Sequence, residues 1–369
     1  MERQASIDLG AITGNVVALA AWVRGSQVMA VVKSDGYGHG MARAARAALA
    51  GGASWLGVID AGEALALRRA GITVPVLCLL PLSAPAEAIA HGIDLAASSV
   101  EFVALAAAGA GQAGRPARLH LKADTGLSRA GATPADWPRL VDAAPDAQAR
   151  GLVQVVGLWS HFACADLPGH PSIPAQLAAF TGALESAQKA GVTPEVRHMA
   201  NTAAALTVPE SRFDLVRLGG SIYGLATLPG GAPSWLRPAM TLRAPLALVK
   251  RVPAGTGVSY GHRYVTARET TLGLVPLGYD DGVPRAAMGL PLVSARGRRW
   301  PIAGTVCMNQ FVVDFGDEPV AAGDEVVLFG PGDDGEATAQ EWGEALGTIS
   351  YDLAVGIGSG VPRTYPGAQ

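Results

Sequence analysis

Cysteine is scarce in this chain, with three residues in 369 (Cys78, Cys164 and Cys307), each in an apolar or strand-like setting. None has metal-ligand spacing, which argues against a disulfide scaffold or a zinc site and suits a reducing cytosol. The seven histidines show no ligand spacing either, so no metal is predicted. Charged residues make up only 16% and the formal net charge is -3. That balance argues against nucleic acid or an anionic membrane as the main partner. No apolar run is long and uninterrupted enough to span a bilayer. The opening Met1-Glu2-Arg3-Gln4 lacks the apolar core of a signal peptide. A cytoplasmic protein is therefore expected. Glycine pairs occur, but not in the place that a dinucleotide fingerprint requires.

What the chain does have is alternation. Short β-like runs at 28–32, 55–59, 74–80, 93–97, 117–121, 153–159, 195–198 and 213–216 are separated by alanine-rich segments with helical periodicity, such as 62–70, 85–91, 102–110 and 176–190. Gly71, Gly92 and Gly191 suit the ends of these helices. Eight strand–helix repeats predict a (β/α)8 barrel, with a doubly wound open sheet as the competing architecture. Around 228–238 turn formers crowd together and the pattern changes. Strand-like runs follow at 242–252, 270–276, 292–294, 302–306, 311–315 and 325–329, with one helix at 338–346. The expected organisation is a barrel over 8–230 and a mostly β domain over 231–369, with residues 1–7 free to pack against the latter.

A barrel puts chemistry just after its strands, at the C-terminal face. Lys33 follows the first run; Lys122, Asp124 and Arg129 the fifth; His161 the sixth; Asn201 and Thr202 the seventh; Arg217, Gly219 and Gly220 the eighth. Lys33 carries the most information. It ends Met29-Ala30-Val31-Val32 and opens Ser34-Asp35-Gly36-Tyr37-Gly38-His39-Gly40. With its stem in the interior, burial disfavours the ammonium form and makes the amine a nucleophile toward carbonyls. The three glycines let backbone approach a ligand closely. An isolated lysine after a strand would be read as a surface residue; the whole stretch displaces that reading.

The stretch from Ala30 to Gly40 resembles the pyridoxal-phosphate lysine motif of the alanine racemase family, and the resemblance runs from Ser6-Ile7-Asp8-Leu9 to Val361-Pro362-Arg363. Racemisation removes a weakly acidic Cα proton, which requires an electron-withdrawing aldehyde cofactor and a base on each face of the carbon. The resemblance implies pyridoxal phosphate held on Lys33, with Lys33 serving one face. It implies that Tyr260, in Gly257-Val258-Ser259-Tyr260-Gly261, serves the other face from a partner subunit, and hence a homodimer with shared active sites. A phenol is a poor base unless cations lie near it; alone, Tyr260 would be read as a packing residue. Arg217 is implied to bond the pyridine nitrogen without donating its proton, and His161 to link it toward the tyrosine. Read alone, the first would be a salt-bridge residue and the second a core histidine. Tyr37, Asn201, Thr202, Gly219, Gly220 and Tyr351 match cofactor positions, the hydroxyls and amides suiting a phosphate. Arg129 is the counter-charge for substrate carboxylate, and Met308 supplies a backbone amide there. Lys122 matches a lysine that is carbamylated in some members; a plain pairing with Asp124 is the alternative. Tyr279 and Arg285 resemble residues that line the substrate's way in.

Some positions depart from the family pattern. Asn309 stands in place of the usual aspartate, Thr305 of an arginine, Leu218 of a proline, Asp352 of a glutamate and Gly360 of an arginine. The family's reaction, L- to D-alanine for peptidoglycan, is the expected function. A racemase of broader or different specificity, acting on serine or larger side chains, is the alternative that Asn309 and Thr305 allow. Two others are a decarboxylase, which Arg217 disfavours because an acidic ring partner is wanted, and a non-catalytic carrier, which the β domain disfavours.

Overall fold

Runs in which every residue is apolar need cover on both faces, and that requirement organises the first half of the chain. The computed structural model describes residues 2–81, 85–225 and 233–367. After an N-terminal strand β1 (Gln4–Ile7), parallel strands follow in sequence: β2 (Gln27–Val31), β3 (Trp55–Val58), β4 (Val76–Cys78), β5 (Asp94–Ala97), β6 (Ala117–Lys122), β7 (Val153–Trp159), β8 (Val196–His198) and β9 (Leu215–Leu218). They form an eight-stranded sheet in which β9 pairs with β2. Backbone bonds from Asp214 N to Arg197 O (3.1 Å) and from Arg217 N to Ala200 O (3.0 Å) join the remaining edges. The sheet is a closed barrel, not an open one. Met29, Trp55, Leu77, Ala96, Trp159, Val196 and Leu215 pack together as an inner layer.

Helices cover the outside, and short polar residues start them. Asp8, Asp60 and Ser99 cap Leu9–Trp22, Ala61–Arg69 and Val100–Ala113 with their side-chain oxygens. Gly71, Gly92 and Gly191 take φ of +80°, +64° and +82° just past helix ends. The last barrel strand lies two residues beyond the predicted 213–216, because Phe213 adopts φ +46° and turns the chain first. Arg217 is consequently within the strand, and Lys122 is the final residue of β6.

The rest is mostly β: β10 (Met240–Pro245), β11 (Leu248–Val252), β12 (Gly257–Val258), β13 (Tyr264–Val265), β14 (Thr270–Val275), β15 (Val293–Ala295), β16 (Arg298–Trp300), β17 (Phe311–Gly316), β18 (Glu325–Phe329) and β19 (Arg363–Thr364). β1 lies between β10 and β19 in a six-stranded sheet, so both ends of the chain meet there. The run at 242–252, expected as one strand, is two strands in different sheets. Its donors change partner in between: Leu246 N bonds Asp324 O and Ala247 N bonds Leu274 O, each at 2.8 Å. The run at 302–306 is no strand; one bridge at Ile302 precedes Gly304, whose φ is +82°. Of the turn-rich segment expected at 228–238, residues 228–232 lie outside those described, and with them the expected 230/231 boundary. No helix among the described residues is long and apolar enough to cross a membrane.

Candidate active site

Lys33 lies two residues past the end of β2, at the mouth of the barrel, and lines an open cavity of about 720 Å³. The backbone after it is unusual. Ser34, Asp35, Gly36 and Tyr37 have φ of 54°, 50°, 64° and 54°, and Gly38 of 80°. Gly36 N bonds Val32 O (2.9 Å) and Gly38 N bonds Ser34 O (3.0 Å), which makes one turn of left-handed helix. Non-glycine residues in this conformation cost about 1–2 kcal/mol each. Surrounding contacts hold the turn. Ser34 N donates to Glu63 Oε1 (2.6 Å), Met41 N to Asp35 Oδ1 (2.8 Å) and Arg363 Nε to Gly38 O (3.1 Å). The rings of Tyr37 and His39 pack on Tyr223 at 5.1 and 4.5 Å. The turn brings Tyr37 back to the cavity that Lys33 faces. Burial lowers the basicity of Lys33, Arg129 lowers it further, and Glu63 opposes them.

Four cations line this cavity, Lys33, Lys122, Arg129 and Arg217, and Asp166 is the carboxylate beside them. The Arg217 guanidinium is held from several sides. Nη2 donates to Ser160 O (2.8 Å), Met199 O (3.0 Å) and His161 Nδ1 (2.8 Å), and Nη1 donates to His198 Nδ1 (3.1 Å). Burial and the neighbouring Arg129 bring it down to about 9, so it is still charged at neutral pH. An arginine has no lone pair to offer, so both histidines accept through Nδ1. Burial first, and Arg217 next, hold His161 and His198 far below the usual imidazole range, and both are neutral. The proton on His198 Nε2 then points to His120 Nδ1 (2.9 Å), and that on His120 Nε2 to Asp94 Oδ2 (3.3 Å). This buried chain orders Arg217 from behind. The sequence reading missed His198, His120 and Asp94. Their positions on β8, β6 and β5 were a usable signal: polar side chains that are fully buried within barrel strands.

Lys122 is brought down to about 8, chiefly by burial, then by Arg217 and Arg129. Its ammonium lies 4.2 Å from the centre of the Trp159 ring. No ion pair among the described residues joins it to Asp124. Asp124 Oδ1 instead accepts from Gly126 N (3.0 Å) and Ser128 N (3.1 Å), shaping the turn that carries Arg129.

Hydroxyls and amides also line this cavity. Thr202 Oγ1 shares a hydrogen bond with Ser221 Oγ (2.9 Å), while Asn201 caps the short helix Thr202–Thr207 by accepting from Ala204 N (3.0 Å). A Cβ on Gly219 would lie 2.7 Å from Tyr37 Oη, and one on Gly220 2.2 Å from the Tyr351 ring. Only glycine lets these peptides reach the two phenols. A neutral cradle of hydroxyls and amides, with Lys33 and Arg217 lining the same cavity, fits a phosphorylated aldehyde in size, charge and donor set.

Tyr260, Tyr279, Arg285, Met308 and Asn309 are not in this cavity. They form a second group on the β domain. Tyr279 N bonds Cys307 O and Asp280 N bonds Met308 O, each at 3.0 Å. Asn309 Nδ2 reaches Asp280 Oδ2 at 3.5 Å, and Arg285 lies 6.0 Å from the Tyr279 ring centre. Tyr260, Met308 and Tyr279 are 74%, 55% and 44% exposed. One chain thus carries two separate groups of candidate residues.

A barrel with a β domain, and a lysine of lowered basicity beside a cradle of hydroxyls and amides, are the features expected of a class of protein that holds a carbonyl cofactor through an amine. Residues 7–227 match the alanine racemase N-terminal domain and residues 239–365 the alanine racemase C-terminal domain. The chain belongs to the alanine racemase family, whose members depend on pyridoxal phosphate. It is 58% identical to the alanine racemase of Frankia casuarinae, over 98% of this chain and 95% of that one. To the alanine racemase of Thermobifida fusca it is also 58% identical, over 99% and 98%. Among solved structures, the alanine racemase of D-cycloserine-producing Streptomyces lavendulae matches with a TM-score of 0.98 at 53% identity, covering 100% of this chain and 98% of that one. The alanine racemase of Bacillus anthracis with bound L-Ala-P matches with a TM-score of 0.90 at 32% identity, covering 99% and 95%.

Proposed function

We propose that this chain interconverts L- and D-alanine, providing D-alanine for peptidoglycan, as a cytoplasmic homodimer with pyridoxal phosphate in each barrel. The observation that carries the reading is the convergence of the Lys33 amine, the clamped Arg217 and the hydroxyl-and-amide cradle on one cavity. When bound, the cofactor supplies a conjugated ring that takes up the electron pair left as Cα loses its proton.

The chain's own residues do the rest. Tyr37, Thr202, Tyr351 and the Gly219 and Gly220 amides would hold the phosphate, with Asn201 fixing Thr202 at its helix start. Arg217, charged and immobile, would hold the ring nitrogen as a hydrogen-bond acceptor without giving up its proton. His161, fixed as acceptor by Arg217, presents its Nε2 proton away from it. Arg129 would take the substrate carboxylate, with the Met308 amide of the partner subunit as a second donor and Lys122 supporting the arginine. The partner subunit's Tyr279 and Arg285 would line the way in, with the partner subunit's Asn309 beside them. Lys33 Nζ, its basicity lowered by burial and by Arg129, would move a proton on one face of Cα. The partner subunit's Tyr260 would move it on the other.

Chiral chromatography of alanine incubated with the protein tests the reading. Both enantiomers should approach equal amounts, Lys33→Ala should lose the yellow lysine-bound cofactor, and Tyr260→Phe should keep the colour and lose racemisation. A panel in which serine or lysine outpaced alanine would overturn the assignment of substrate.

A further inference from the structure

The phenol of Tyr260 stands clear of its own chain, at 74% exposure, so packing within the chain does not set its direction. The backbone must do so. Ser259, just before it, has φ +60° and ψ −171°, a combination almost confined to glycine. Gly261 and His262 follow at φ +73° and +44°. A turn this strained persists only when neighbours over-determine it.

Those neighbours belong to the loop 304–307. Ser259 Oγ donates to Thr305 O at 2.6 Å, and Thr305 Oγ1 donates to Tyr260 O at 3.1 Å. The two hydrogen bonds cross. Cys307 Sγ approaches Ser259 Oγ at 3.4 Å. The close approach depends on Gly304: a Cβ there would lie 2.6 Å from Val258 O and 3.1 Å from Ser259 Cβ. On the other side the His262 ring lies over Gly257, where a Cβ would meet it at 2.4 Å. Thr305 is 6% exposed, and its hydroxyl reaches the carbonyl of the one residue in the turn that the proposed reaction uses.

We infer that Ser259 and Thr305 are positioning residues for the Tyr260 phenol, clasping the strained turn in the conformation that carries it to the substrate carbon of the neighbouring barrel. The inference deepens the racemase reading and rests on it. It also gives Thr305, a departure from the family pattern, a role of its own.

Thr305→Val keeps the shape and removes the donor, whereas Thr305→Ser keeps the donor. Two rates are measured on each holoenzyme with alanine in deuterium oxide: inversion at Cα, and exchange of the Cα hydrogen without inversion. Inversion needs both faces, whereas exchange from the enantiomer whose Cα hydrogen faces Lys33 needs Lys33 alone. In Thr305→Val, inversion should fall about tenfold or more, since small misplacements of reacting groups are costly. Exchange from that one enantiomer should persist, Thr305→Ser should recover inversion, and Ser259→Ala should behave like Thr305→Val. An equal fall of both rates in Thr305→Val, or no fall in either, overturns the inference. Tyr260→Phe, measured alongside, separates the two failures. Full inversion there removes Tyr260 from the reaction, and the clasp with it; lost inversion there with unchanged Thr305→Val rates overturns the clasp alone.

Discussion

Two inactive variants of this protein should restore one another. Lys33 lines the barrel cavity, while Tyr260 is absent from that lining and 74% exposed on the β domain. If each barrel is completed by a second chain, Lys33→Ala and Tyr260→Phe damage different halves of the site. In a mixed dimer, one barrel keeps Lys33 and receives an intact Tyr260, while the other lacks both groups. Random pairing of equal amounts makes half the dimers mixed, with one sound site each, so about a quarter of all sites should work. The assay is racemisation by a co-expressed pair carrying different tags and purified on both, which isolates the mixed species; there, half the parent's activity per dimer is expected. Each variant alone should be inactive. Mixed dimers no more active than the two variants alone would refute the shared site, because a tyrosine acting within its own chain cannot be supplied by another.

Arg129→Ala should raise KM for alanine more than it lowers kcat, because a charge-assisted pairing with the carboxylate is worth about 2 kcal/mol, or roughly thirtyfold in kcat/KM. The same variant tests the electrostatics. Arg129 helps lower the basicity of Lys33, so its loss should raise that pKa and move cofactor loading to higher pH, as read by titrating colour. A shift to lower pH would contradict the sign. Gly220→Ala must push aside the Tyr351 ring, which an added Cβ would meet at 2.2 Å. Cofactor affinity, followed by fluorescence titration of apoprotein, should fall about tenfold or more, because the cradle has no room for the added group.

Where periodicity was regular, the sequence was a sufficient guide. The eight runs of buried apolar residues became barrel strands, and Lys33, His161, Asn201 and Thr202 were placed past their ends. What escaped depended on pairing and handedness, which local pattern does not encode. The split of 242–252 follows from donors that find acceptors far along the chain, at Asp324 and Leu274. The shift of the last barrel strand follows from a positive φ at Phe213, a residue type that gives no warning of it. Tyr37 and Gly219 were legible separately; their contact was not, because it depends on a left-handed turn that three alternating glycines permit without dictating. The chain from Arg217 to Asp94 joins residues on four strands, and no spacing along the sequence reveals it.

The distribution of backbone strain points to the same residues by an independent route. Eight non-glycine residues among those described have positive φ. Ser34, Asp35 and Tyr37 follow Lys33, Ser128 precedes Arg129, and Ser259 and His262 flank Tyr260; only Phe213 and Arg296 lie elsewhere. Strain of this kind survives where geometry matters more than stability. Ser34 isolates the trade-off, because it is exposed and its side chain makes no hydrogen bond among the described residues. Replacing it by glycine removes about 1–2 kcal/mol of left-handed strain and returns roughly 0.5–1 kcal/mol of added unfolded-state entropy. Ser34→Gly should therefore be more stable than the parent by about 1 kcal/mol in urea unfolding of the apoprotein. With the turn freer to rearrange, it should also hold the cofactor less tightly and racemise more slowly. A variant that lost stability while keeping full activity would show that the turn is not strained at this position, and that Lys33 is oriented by something other than the backbone that follows it.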